Sequence, residues 1–206
     1  MEWMTLIAFL GTAVVMTLAP GPDILFVIAQ SMAQSYKAGI ATALGLCTGL
    51  LVHISAAAIG ISALIYQSSV AFTIVKYAGA LYLLYLAWQA FRAKDDVSFT
   101  TNQEMYPYKS LYKKGIIMNL LNPKVSLFFL ALLPQFTNVE AGAIPLQMTL
   151  LGFIFLVQAL IIFSVVSLLA FKATELLRRS PKFSKRMNIA QGTIFTFIGL
   201  HILTSD

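Results

Sequence analysis

Long apolar runs are the feature that most limits the folds open to this chain. Barrel strands are ~10-residue segments of alternating polarity, whereas these runs are continuous. A membrane-spanning helix requires about 20 mostly apolar residues, and in lipid only helices and closed barrels satisfy all their backbone groups. The pattern therefore predicts an all-α integral membrane protein with six transmembrane helices, at roughly residues 3–33, 39–66, 70–91, 115–136, 145–171 and 187–204.

The composition does not suit a soluble domain. Only 11% of the 206 residues are charged and 59% are hydrophobic, with a mean hydropathy of +0.82. Soluble domains carry about 25% charged and about 45–50% apolar residues. The single cysteine, Cys47, provides no disulfide or metal framework, so neither a metal nor a cofactor is expected.

The net charge of +6 comes mainly from two basic loops, after the third and fifth spans. These loops and the one after the first span hold twelve of the 14 basic residues. Cytoplasmic loops of membrane proteins are enriched in Lys and Arg, so we expect both termini outside, in an inner (cell) membrane protein. Binding of these loops to anionic lipid or to an acidic partner is an alternative, and nucleic acid is not an expected partner.

Prolines interrupt the first and fourth spans. The first apolar run would measure about 46 Å as one straight helix, against a hydrocarbon core of about 30 Å. Pro20, Gly21, Pro22 and Asp23 lie in its middle, and Pro123 lies next to Lys124 in the fourth span. Pro22 is followed by Asp23 and Pro123 by Lys124, and an apolar stretch follows each charge. The first and fourth spans therefore resemble each other.

This match predicts an internal repeat. Three spans per half is an odd number, so the second half would lie inverted relative to the first. We predict a single membrane domain over 1–206, with a first repeat at 1–91, a cytoplasmic linker at 92–114 and a second, inverted repeat at 115–206. Inverted repeats with interrupted helices in matching positions are typical of secondary transporters.

The first interruption is a candidate binding site. A helix that restarts at Pro22 or Asp23 offers unpaired N–H groups and a partial positive charge, which suit a carboxylate. The structural interpretation is a kink with Asp23 as its N-cap, which is compatible with a binding role. Gln30 follows Asp23 on the same helical face and is expected to line a pathway.

The second interruption brings Asn119, Asn122, Pro123 and Lys124 together as further substrate or ion ligands. Charged residues inside a membrane are functional candidates. Lys124 either is a buried cation that faces an anionic group such as Asp23, or extends to the cytoplasmic interface.

His53 lies in the second span on a stripe of small residues, which marks close helix packing and predicts that His53 points inward. The members of this stripe are Ala38, Thr42, Gly45, Gly49, Ala56 and Gly60. His53 is either a proton-coupling group together with Asp23 or a hydrogen-bonded structural residue. Other polar residues that could line a pathway are Tyr82, Tyr85 and Gln158.

The motifs of enzymes are missing from the sequence. It has no Gly-x-Ser-x-Gly, His-Glu-x-x-His, phosphate-binding loop or Cys-x-x-Cys. We therefore do not expect an enzyme.

Four stretches together resemble the LysE/RhtB amino-acid exporter family, in order and over nearly the whole chain. They are Leu18 to Asp23, Gly45 to His53, Tyr77 to Trp88, and Asn119 to Phe136. Two positions differ from the family pattern. Asp23 stands where Asn is common after Pro-Gly-Pro, and Leu50 stands where a polar residue commonly follows the second glycine.

The resemblance implies export of amino acids or close derivatives from the bacterial cytoplasm, driven by the proton gradient. The expected partners are an amino-acid substrate, protons and membrane lipid. Small-residue stripes fit packing within one subunit or between the two subunits of a homodimer. A passive channel for small polar solutes is the alternative, although the single charges in nonequivalent halves do not form the repeated rings of a selectivity filter.

Overall fold

The computed structural model describes residues 3–61 and 105–172, together with isolated helical positions at 70, 73, 74, 77, 81, 84, 85, 88, 92 and 196. Most of the expected third and sixth spans, including Tyr82, therefore lies outside the described residues. The described ranges are helical, as the apolar runs predict. Their helices are α1 (Trp3–Leu18), α2 (Pro22–Ala33), α3 (Tyr36–Ala56), α4 (Tyr108–Leu120), α5 (Pro123–Leu127) and α6 (Ile144–Lys172).

Two of these helices continue in wider or tighter turns. A π-helical turn, Ala57–Ile61, extends α3, and another, Phe128–Leu132, extends α5. The second is followed by a short 3₁₀ helix, Leu133–Phe136. Such π-helical turns inside helices are frequent at functional sites.

Sharp bends separate α1 from α2 and α4 from α5. The angles are 55° at the first break, between Leu18 and Pro22, and 49° at the second break, between Leu120 and Pro123. A proline begins the helix that follows each break. Proline has no N–H to donate and its ring clashes with the preceding turn, so a straight helix cannot continue through it. The expected interruption of spans one and four is confirmed.

The described helices have the length and composition of membrane spans. The segment Tyr36–Gly60 and α6 are each long and apolar enough to cross a bilayer, and each bent pair qualifies as one further span. On α6, apolar side chains are buried on one side and exposed on the other, as lipid contact requires. The fourth span differs from expectation at its start, because α4 begins at Tyr108 rather than at residue 115.

Glycines allow α3 and α4 to cross with their backbones in contact. A Cβ atom added at Gly45 would overlap the carbonyl oxygen of Tyr112, and one at Gly115 would lie 2.6 Å from the carbonyl oxygen of Thr42. At Gly49 the added atom would lie 2.9 Å from the side chain of Asn119. The predicted small-residue stripe is thus buried here, whereas its later members Ala56 and Gly60 are exposed.

We predict that Gly45→Ala destabilises the protein, because the added methyl group meets backbone that cannot rotate away. Overpacking of this kind costs about 1–3 kcal/mol. Gly11→Ala is the matched control, because nothing lies within 4 Å of the added Cβ on α1. Thermal unfolding in detergent, followed by size-exclusion chromatography, should give a lower Tm for Gly45→Ala and an unchanged or higher Tm for Gly11→Ala. Equal Tm values for the two variants would contradict this packing.

Candidate functional site

The first break follows directly from its prolines. In an α-helix the N–H of each residue donates to the carbonyl four residues earlier, so Pro20 leaves Met16 without this donor and Pro22 leaves Leu18 without it. Gly21 is the N-cap of α2, with φ −171° and ψ 175°, and Pro22 is the first helical residue. Asp23 is therefore not the N-cap, because the helix begins at Pro22, two residues before the start that an N-cap at Asp23 would require.

No side chain caps the start of α2. Its first N–H groups and the positive end of its dipole therefore remain suited to an anion. Asp23 lies in this first turn and is buried, with 6% of its surface exposed. The helix start thus stabilises a carboxylate that would otherwise be costly at membrane depth.

Lys124 connects the two breaks. Its Nζ donates a hydrogen bond to the carbonyl oxygen of Ala19, at 2.9 Å, and only 9% of its surface is exposed. A Cβ atom at Gly21 would lie 3.1 Å from this Nζ, so the missing side chain leaves room for the ammonium. Lys124 is therefore buried and does not extend to the interface. Among the described residues, its partner is a backbone carbonyl and not the carboxylate of Asp23.

The second break supplies two asparagines. Asn122 is the N-cap of α5, and its Oδ1 accepts a hydrogen bond from the backbone N–H of Lys124 at 3.0 Å. Asn119, at the end of α4, donates from Nδ2 to Oδ2 of Asp23 at 3.0 Å. Asn119 thus joins the second break to the start of α2, over a separation of 96 residues in sequence.

His53 reaches the second break from α3. Its Nε2 lies 3.2 Å from the carbonyl oxygen of Asn119. Pro123 cannot donate to this oxygen, which instead accepts from the backbone N–H of Asn122 at 3.0 Å. Since a carbonyl oxygen only accepts, this contact requires a proton on Nε2. The ring also stacks on Phe129, with centroids 5.9 Å apart. His53 is half-buried and points toward the bundle.

A small cavity lies where the breaks meet. Its polar lining comes from Thr17, Asp23, Asn119 and Lys124. Its volume is about 20 Å³, enough for one water molecule and too small for an amino acid. The structure thus brings together three of the predicted site residues from both halves of the chain.

Several buried polar atoms around the breaks have no hydrogen-bond partner among the described residues. Oδ1 of Asp23 and Oδ1 of Asn119 are acceptors, whereas Nδ2 of Asn122 is a donor. Buried polar groups are nearly always paired, so unpaired ones need an explanation. Two acceptors suit a cationic group, and a donor suits an anionic one.

The other predicted residues lie in different places. Gln30 is buried on α2. Gln158 is buried on α6 and does not itself line the cavity. Its Nε2 donates to Oγ1 of Thr17 at 2.8 Å and so positions Thr17, which lines the cavity. Tyr85 lies against Trp88, with centroids 6.1 Å apart, and does not line the cavity either. Within the described residues, no group of three His, Cys, Asp or Glu side chains could hold a metal ion.

Sequence reasoning missed the apolar part of the lining. Phe155, Ala159 and Phe163 line the cavity from one face of α6, and Phe128 lines it from the π-helical turn after α5. The spacing of four residues on α6 was a visible signal. It was not decisive, because α6 is apolar on every side and no stripe stands out. Thr17 was missed for a similar reason, as it is one mild polar residue in an apolar run.

Comparison with known proteins identifies relatives that cover most of this chain. An uncharacterized membrane protein of Vibrio cholerae is 34% identical over 97% of this chain and 96% of its own length. The homoserine/homoserine lactone efflux protein of Salmonella typhimurium is 32% identical over 96% of this chain and 94% of its own. The leucine efflux protein of the same organism is 34% identical over 65% of this chain and 63% of its own.

The sequence profile of the LysE type translocator family matches residues 14–206, nearly the whole chain. No solved structure shows a significant match. The match confirms the family resemblance and, with the apolar helices, makes this a multi-pass membrane protein. The chain belongs to the LysE type translocator family, a family of transporters and not of enzymes.

Proposed function

We propose that this protein exports amino acids or close derivatives from the bacterial cytoplasm, by proton antiport with alternating access. The observation that carries the proposal is the meeting of the two broken helices, which places the buried residues Asp23, Asn119 and Lys124 around one cavity. The relatives named as efflux proteins for homoserine and for leucine support the substrate class.

The charges around the cavity match those of a zwitterion. The ammonium group of the substrate would bind the unpaired Oδ1 atoms of Asp23 and Asn119. Its carboxylate would bind Lys124 or the uncapped start of α2. Each substrate charge would then meet a protein group of opposite charge, which burial in a membrane requires.

Coupling to protons follows if one group binds a proton when the substrate leaves. Asp23 is the first choice, because its carboxylate would bind either the substrate ammonium or a proton, but not both. His53 is the second, because an imidazole can bind and release a proton and its ring contacts the second break through Asn119. Because the proton and the substrate compete for one site, the carrier moves them across the membrane in opposite directions, which is antiport.

Alternating access requires the breaks to separate, because the cavity of about 20 Å³ is too small for an amino acid. We propose that residues 1–91 and 115–206 form two inverted halves that rock against each other around this site. The matching bends of 55° and 49° support this arrangement.

The inverted arrangement places both termini outside, which reporter fusions test. Alkaline phosphatase fused after Asp206 should be active, since it folds only outside the cytoplasm. Green fluorescent protein fused after Met105, before α4 begins, should fluoresce, because the loop between the third and fourth spans is expected inside. The opposite pattern at either position would refute the proposed topology.

The transport test uses purified protein in liposomes. With an acidic lumen, labelled leucine or homoserine should accumulate above its external concentration as protons leave. Asp23→Asn should lower this uphill accumulation about tenfold or more, because it removes the group that alternates between proton and substrate. Glu140→Gln is the control, since it removes a carboxylate from an exposed loop.

Two outcomes would count against the proposal. If Asp23→Asn keeps both its transport and its pH dependence, then Asp23 is not the coupling group. If the unmodified protein moves amino acids only downhill under every imposed proton gradient, then the carrier proposal fails and a passive channel replaces it.

A further inference from the structure

The distribution of acidic residues over the whole chain limits which substrates can bind. The chain has eight Asp and Glu residues, and only Asp23 lies within one of the apolar spans. The others lie at the chain ends or in the loops between spans, namely Glu2, Asp95, Asp96, Glu104, Glu140, Glu175 and Asp206. A substrate at membrane depth therefore meets a single carboxylate.

The charge of the Asp23 carboxylate is balanced by one ammonium group in the lining of the cavity, that of Lys124. Lys124 lines the same cavity as Asp23, and no other charged side chain among the described residues does so. Together the two carry no net charge. A zwitterionic substrate keeps this balance, because its own two charges also cancel.

The wall of the cavity that α6 forms is apolar. The polar lining comes from α1, α2 and the second break, whereas α6 contributes only Phe155, Ala159 and Phe163. The Phe128 ring packs on Phe155, with centroids 4.7 Å apart, and completes an aromatic end. A substrate whose backbone groups bind at the breaks would direct its side chain toward this wall.

We infer that the site accepts amino acids with uncharged side chains and rejects both basic and acidic ones. This inference rests on the proposed function and narrows its substrate class. A charged side chain would lie against Phe155 and Phe163 without a partner of opposite charge. An ion buried without a partner is strongly destabilised in a low-dielectric environment, whereas an apolar or hydroxylated side chain is not.

Pairs of substrates that differ in charge but hardly in shape test the inference. Homoserine and 2,4-diaminobutyrate differ by a hydroxyl against an ammonium, and leucine and aspartate differ by an isopropyl group against a carboxylate. In proteoliposomes, the neutral member of each pair should be transported at least about a hundredfold more efficiently than the charged one. The readout is the initial uptake rate of each labelled compound, divided by its concentration, below saturation.

The outcomes separate this inference from the proposed function. Equal transport of both members of a pair, or preference for the charged member, would overturn the inference while the exporter proposal stands. Transport of no amino acid at all would overturn both. Transport of the neutral members alone supports both.

A matched pair of variants tests whether the side chain of the substrate lies against α6. Ala159→Asp places a carboxylate on the apolar wall, and Ala159→Asn places a neutral group of the same shape there. Ala159→Asp should raise the ratio of 2,4-diaminobutyrate to homoserine uptake by about tenfold relative to Ala159→Asn. If both variants fold, as judged by size-exclusion chromatography, equal ratios would overturn the placement of the substrate side chain against α6. If neither folds, the substrate pairs still decide the inference on the unmodified protein.

Discussion

The backbone carbonyl group released at the first proline break sets the arrangement of the rest of the site. In lipid no water reaches such a group, and leaving it unpaired costs several kcal/mol. Lys124 donates to the carbonyl of Ala19 at this break. At the second break the carbonyl of Asn119 accepts from the backbone N–H of Asn122 and also contacts His53. Since Lys124 itself follows the second break, its hydrogen bond to Ala19 holds the two breaks together.

The glycines of α3 and α4 make this contact possible. Gly45, Gly49 and Gly115 let the two backbones approach, and the end of α4 then carries Asn119 to Asp23. The buried carboxylate is stabilised both by this amide and by the start of α2. A local signal, proline next to a charge, thus becomes a site only through helix packing over long sequence separations.

Much of this arrangement could be predicted from the sequence, because its causes are local. Apolar runs predict spans, and Pro20, Pro22 and Pro123 predict where helices break. The partner of Lys124 could not be predicted, because the carbonyl of Ala19 belongs to the backbone and leaves no mark in the residue type. The N-cap was misplaced at Asp23, because an extended Gly21 before a proline fills this position without a capping side chain. The apolar wall of α6 was missed, because a helix that is apolar all round gives no sign of which face is buried.

The central claim is that substrate binds where the breaks meet, and protection of an engineered thiol tests it most directly. In a Cys47→Ser background, Thr17→Cys places a thiol in the cavity lining, and Leu44→Cys places one on an exposed face of α3. Saturating leucine or homoserine should slow the reaction of a membrane-permeant thiol reagent at position 17 and leave that at position 44 unchanged. If a transported amino acid leaves the rate at position 17 unchanged, the substrate site lies elsewhere.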